Sequence, residues 1–158
     1  MNSPKSVIAL SLIAIFAISI AIQPILPATS EKYSALGLLG PNQQVAGFPT
    51  NVTTGQSFRL YAYVTNHEGV SDYFQILIKL GNQNTLVNKT AYARAPILAS
   101  YSQVLLNNQS WTFPMNLSIN SPGNDQKLVF ELWSYNVTSS IFQYTGRYDT
   151  LYLNVTTT

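Results

Sequence analysis

Cysteine is absent from the 158 residues. That excludes a disulfide framework, a thiolate metal site and a cysteine nucleophile. Charge is scarce as well: Asp, Glu, Lys and Arg make up 9% of the chain, against about 25% in an average soluble domain. The eight Lys and Arg residues are scattered and the net charge is only +2, so no basic cluster exists to neutralise a phosphate backbone, and nucleic acid is not an expected partner. There is one histidine, His67. A metal site normally needs three or four ligands, and no glycine-rich phosphate loop or nucleophile-elbow sequence is present. No cofactor, metal or catalytic residue is therefore expected, and the chain reads as a non-enzyme.

One long apolar run is present. Val7 to Ile22 carries no charge; Lys5 precedes it and Glu31 is the next charged residue. Extended through Leu26, the run reaches about twenty residues, or about 30 Å as a helix, which matches a bilayer core. Residues 1–30 therefore read as one N-terminal hydrophobic helix, either a signal anchor or a signal peptide cleaved near Pro27-Ala28-Thr29. The positive flank stays inside the cell. Residues 31–158 are then expected to be extracytoplasmic, held at the cell membrane or secreted.

After residue 30 no helical periodicity appears. Short runs alternate apolar and polar residues with a period of two, punctuated by Gly, Pro and Asn. Tyr33–Leu39, Gln56–Asn66, Tyr73–Leu80, Thr85–Ala93, Ile97–Leu106, Trp111–Ile119, Lys127–Tyr135 and Tyr148–Thr156 read as strands. Ser121-Pro122-Gly123-Asn124-Asp125 reads as a turn. The expected inward residues include Leu60, Ile76, Phe113, Phe130 and Leu153; Lys79, Tyr61, Tyr63 and Thr65 are expected outward. About seven to nine strands at roughly ten-residue spacing fit an all-β, antiparallel, immunoglobulin-like β-sandwich.

The N-x-S/T glycosylation pattern occurs at Asn51, Asn88, Asn108, Asn116, Asn136 and Asn154. Composition alone would give about three such sites. A glycan is bulky and must sit in solvent, so each is expected in a loop or on an outward strand position. His67 and Glu68 lie where one strand stops, beside the turn formers Asn66 and Gly69, and read as a bend. Glu68-Gly69-Val70-Ser71-Asp72 could offer a hard cation two carboxylates, but it lacks the acidic spacing of a dedicated loop. Outward Tyr61 and Tyr63, with Trp133 and Tyr135, are either a stacking platform or ordinary cross-strand pairs.

Several segments together carry a resemblance: Leu39-Gly40-Pro41-Asn42, Phe48-Pro49-Thr50-Asn51-Val52-Thr53-Thr54-Gly55, Val64-Thr65-Asn66-His67-Glu68, Trp111-Thr112-Phe113-Pro114 and Lys127-Leu128-Val129-Phe130-Glu131-Leu132-Trp133. With these, residues 33 to 135 resemble the archaeal family called domain of unknown function 1616. The resemblance implies membrane association and an extracytoplasmic β-sandwich, with no assigned activity. The chain departs from the pattern at Phe48, where Tyr is usual, and in having one hydrophobic segment where relatives often have several. The expected role is a non-catalytic structural or binding module of a cell surface, membrane-anchored and N-glycosylated, with protein partners or copies of itself. The alternatives are a secreted filament subunit assembled by strand donation and, third, an enzyme acting on envelope glycans.

Overall fold

The computed structural model describes residues 31–157; the N-terminal segment expected to cross or leave the membrane lies outside them. Eight strands follow in chain order: β1 (Tyr33–Leu39), β2 (Asn51–Thr53), β3 (Ser57–His67), β4 (Asp72–Gly81), β5 (Ile97–Leu105), β6 (Ser110–Ser118), β7 (Gly123–Asn136) and β8 (Ile141–Thr156). They form a three-stranded sheet, β1-β3-β6, and a five-stranded sheet, β2-β8-β7-β4-β5. Pairing is antiparallel except between the short β2 and the end of β8, which run parallel. Among the described residues no α-helix occurs.

Alternation places the core. Leu60, Ala62 and Val64 of β3 and Phe113, Met115 and Leu117 of β6 meet Phe74, Ile76 and Ile78 of β4 and Leu128, Phe130 and Leu132 of β7. These side chains are almost completely withdrawn from water. Pro114 interrupts the β6 pattern without cost to the sheet, because β6 is an edge strand and one side of its backbone needs no partner. At the far end of β1, Gly40 closes a turn by donating its N–H to the Gln44 carbonyl. A Cβ there would sit 2.0 Å from the Ala46 carbonyl oxygen.

Four expectations need correction. Thr85–Ala93 is not a strand. β4 already lies between β5 and β7 in the sheet, so the connection of residues 82–96 has no free edge to join there and crosses the outer face as an irregular strap. Lys79, expected in water, is buried for the same reason. Thr65 is buried too, and accepts a hydrogen bond at 3.0 Å from the Ser110 hydroxyl. The turn expected over Ser121–Asp125 is shorter, since β7 begins at Gly123 with a register shift before Gln126. Two strands escaped the pattern: β2, only three residues long, and the first half of β8, whose aromatic residues Phe142 and Tyr144 point away from the inter-sheet core.

Replacing Phe130 or Ile76 by Ala should cost about 2–5 kcal/mol, through lost burial and a residual cavity. Urea unfolding followed by tryptophan fluorescence reads the change. A loss below about 1 kcal/mol at both positions would contradict this packing.

Candidate functional site

The outer face of the five-stranded sheet carries the chain's densest chemistry. Glu131, wholly enclosed, points there from the middle of β7. Its carboxylate meets Lys79 Nζ at 2.8 Å and accepts the Trp133 indole N–H at 3.1 Å. It also accepts the backbone N–H of Ala93, while Lys79 Nζ donates to the Ala93 carbonyl at 2.8 Å. One strap residue is thus held at both its backbone groups by one ion pair. Lys79 Nζ also lies 4.8 Å from the Tyr92 ring centroid and 5.5 Å from that of Trp133.

Further contacts hold the strap along its length. Lys127 Nζ donates to the Thr85 carbonyl at 3.0 Å, and the Tyr144 hydroxyl donates to the Asn88 carbonyl at 2.9 Å. Gly146 lets Lys89 come close: it has φ +75°, and a Cβ there would lie 2.4 Å from the Lys89 oxygen. Burial, then the charges of Glu131 and Tyr148, push the Tyr144 phenol up to about 12. This carboxylate has no exposed surface and is held by an ammonium, an amide and an indole, so no substrate reaches it. Its chemistry here is structural.

A row of aromatic side chains lies on the same face, toward one end. Tyr73 is 5.2 Å from Phe142 and 6.3 Å from Tyr135, and Tyr135 is 5.3 Å from Phe142, centroid to centroid, all tilted or edge-on. Beside them an open groove of about 550 Å³ is lined by Val70, Asp72, Val104, Asn136 and Gln143, among others. The expected platform of Tyr61, Tyr63, Trp133 and Tyr135 does not form as one surface. Tyr61 and Tyr63 lie on the three-stranded sheet, and Trp133 packs instead with Tyr92 and Tyr144.

The bend after β3 is organised by Asn66 rather than by His67. Asn66 is wholly buried. Its Nδ2 donates to the carbonyls of Leu105 and Val70, both at 2.9 Å, and its Oδ1 accepts from the Glu68 N–H at 3.0 Å. Its backbone N–H and C=O bond Gln109 and Asn108 in the next turn. A single amide therefore ties the β3–β4 and β5–β6 connections together. His67 stacks on Tyr33 with centroids 4.8 Å apart, and its Nδ1 lies 2.8 Å from Asn108 Oδ1. Residue parity carried the missed signal: position 66 continues the inward series 58, 60, 62 and 64, where a polar residue has to be fully bonded.

Among the described residues, no group of three or more His, Asp or Glu is arranged to hold a metal ion. Glu68 and Asp72 do line one groove, with Lys32, Tyr33 and Arg147, and Asp72 accepts a hydrogen bond from the Ser134 hydroxyl.

The six glycosylation-pattern asparagines are spread over the surface. Asn51, Asn88, Asn108 and Asn116 are exposed; Asn136 and Asn154 are half-buried. Each also serves the fold. Asn88 Oδ1 accepts from the N–H groups of Thr90 and Ala91, and Asn136 Oδ1 from those of Thr138 and Ser139, so both begin turns. Asn116 accepts from Arg59 Nε at 3.0 Å. Asn154 donates to Asn51 Oδ1 at 3.1 Å across the parallel β2–β8 ladder.

Two mutational contrasts separate these roles. Asn66→Ala leaves two carbonyls and an N–H without a partner and should cost about 2–3 kcal/mol or more, whereas His67→Ala should cost under about 1 kcal/mol. Glu131→Ala alone strands the Lys79 ammonium and should cost about 3–5 kcal/mol; adding Lys79→Met removes the stranded charge and should recover part of that loss, while the unpaired backbone N–H and C=O of Ala93 keep the rest. Denaturation midpoints of these variants check both statements; equal losses within either contrast would contradict them.

Comparison with solved structures supports the fold alone. The chain is 8% identical to the CARDB domain of a Pyrococcus furiosus protein, with a TM-score of 0.50, over 81% of this chain and 98% of that one. It is 11% identical to a β-glucosidase from Listeria innocua, with a TM-score of 0.49 over 81% of this chain. It spans only 16% of that enzyme's length. No curated protein sequence matches. The family model described as "Domain of unknown function (DUF1616)" matches residues 27–156, and the chain belongs to that family.

Proposed function

We propose that this protein is a non-catalytic module of an archaeal-type cell surface, an immunoglobulin-like sandwich held outside the membrane by its N-terminal apolar segment and carrying N-linked sugar. The observation that carries this reading is the placement of the acceptor asparagines. Every one of the six reaches solvent, including Asn116 in mid-strand. The surface around them has few charges, as suits a protein wetted by hydroxyls, amides and sugar. The work of such a module is adhesion, envelope scaffolding or support of a membrane partner.

A secreted filament subunit is the second reading. β1 pairs only with β3, at the edge of the three-stranded sheet, so it is the element best placed to be exchanged between copies. An envelope-glycan hydrolase is the third. Its catalytic acid has to stay protonated, through apolar surroundings or a second carboxylate. The groove shared by Glu68 and Asp72 also holds Lys32 and Arg147, so its two acids are set beside two cations rather than in apolar surroundings.

Intact-mass analysis of protein purified from its native membrane tests the proposal. It should show Met1 or the uncleaved leader, together with a mass excess that is lost on chemical deglycosylation. A start near Thr29 or Ser30 would transfer support to the secreted filament. A mass equal to that of the unmodified chain would remove the sugar from the account.

A further inference from the structure

The end of the sandwich where the described chain begins differs from the opposite end. The start of β1, the β3–β4 connection, the β5–β6 turn and the β7–β8 turn all meet there: Tyr33 pairs with His67, Asp72 with Leu105, and Asn136 with Ile141. Among the described residues, eight aliphatic side chains are strongly exposed, and five of them belong to this end: Val70 (63%), Val104 (54%), Leu106 (60%), Val137 (80%) and Ile141 (56%). Val45, Leu86 and Ile97 lie elsewhere. Tyr33 and Tyr73, about 40% exposed, stand on the same end. Clustered exposed apolar groups on a low-charge protein mark a surface that meets something apolar.

We propose that this end is a membrane-resting tip. Its turns dip Val70, Leu106, Val137 and Ile141 into the lipid interface, while Tyr33 and Tyr73 sit at headgroup level. This rests on the reading of residues 1–30 as an anchor, and chain length is the second argument for it. The apolar run ends near Leu26, and the described domain is entered at Lys32. The five residues between them span at most about 18 Å even when fully extended, so the end that the chain enters is kept next to the bilayer. The side chains have the chemistry of that layer. Aliphatic groups belong in the acyl boundary, and tyrosines, with an apolar ring and a polar hydroxyl, belong at its edge.

Charge on this end does not oppose the contact. Lys32, Glu68, Asp72 and Arg147 share one groove, two cations against two anions. The attraction is therefore apolar and should not depend on salt. A consequence separates the acceptor asparagines into two groups. Asn136 is adjacent to Val137, and Asn108 shares a turn with Leu106. A glycan at either would hold the tip in water, so sugar is expected only among Asn51, Asn88, Asn116 and Asn154.

The absence of cysteine makes the test direct. Full-length Val137→Cys and Val45→Cys, both at exposed positions, each accept one polarity-sensitive fluorophore. Each is reconstituted into phosphatidylcholine vesicles and recovered by flotation. The probe at Val137 should emit to the blue of the probe at Val45 and be quenched severalfold less by aqueous iodide, at low and high salt alike. Equal quenching at the two sites in floating protein would overturn the tip and leave the anchor intact. Failure to float would overturn both. Stoichiometric disulfide dimers through Val137→Cys in the bilayer would assign the surface to a second copy and overturn the proposal, as would sugar on Asn136 in the native protein.

Discussion

The contact between the two inner sheet faces positions everything else in this molecule. Leu60 and Val64 on one side and Phe74, Ile76, Phe130 and Leu132 on the other are sealed from water. Each such side chain contributes about 1.5–3 kcal/mol by burial. Because side chains alternate strictly along a strand, fixing one face inward also fixes which residues point out. The placement of Glu131, Lys79 and Trp133 on the outer face follows from the burial of Phe130, Ile78 and Leu132 beside them. With no cysteine to staple the sheets, this contact and the backbone ladders must hold the domain.

The outer face then divides in two. Over its middle, residues 82–96 form a cover fastened by the Lys79–Glu131 pair to both backbone groups of Ala93. A buried pair of this kind contributes little net stability through the attraction of its own charges, because desolvation offsets most of it. It specifies one arrangement of the strap instead, since any other would leave a charge or an amide unpaired. Toward the end where the chain enters, the face is bare, and Tyr73, Tyr135 and Phe142 remain partly open to solvent. The same end presents aliphatic turns. A covered middle beside an uncovered apolar end is what separates a surface kept for contact from one closed by the fold.

Much of this was legible in the sequence. The stripes Leu60–Ala62–Val64, Phe74–Ile76–Ile78, Phe113–Met115–Leu117 and Leu128–Phe130–Leu132 declare strands and their inward faces without ambiguity. The motif segments that carried the family resemblance lie within the family match. Thr85–Ala93 was misread because Leu86, Val87 and Tyr92 imitate a strand, while strand formation also requires a free neighbour that sequence does not reveal. The first half of β8 was missed for the converse reason: its apolar residues serve the outer face and break the inward count. Lys79 and Glu131, 52 residues apart, could be paired only once β4 and β7 were known to be neighbours. Asn66 was closer to reach. His67 drew notice because it is the sole histidine, but the residue before it sits on the inward parity and joins two turns.

Hydrogen exchange of the backbone amides, read by mass spectrometry on the folded protein, tests the central contact most directly. The account predicts slowest exchange in the paired cores of β3, β4 and β7, around Leu60–Val64, Phe74–Ile78 and Leu128–Leu132. Within the otherwise fast strap, the Ala93 amide held by Glu131 should be slow. Exchange in β7 as fast as in residues 82–92 would contradict a fold organised around the meeting of these two sheets.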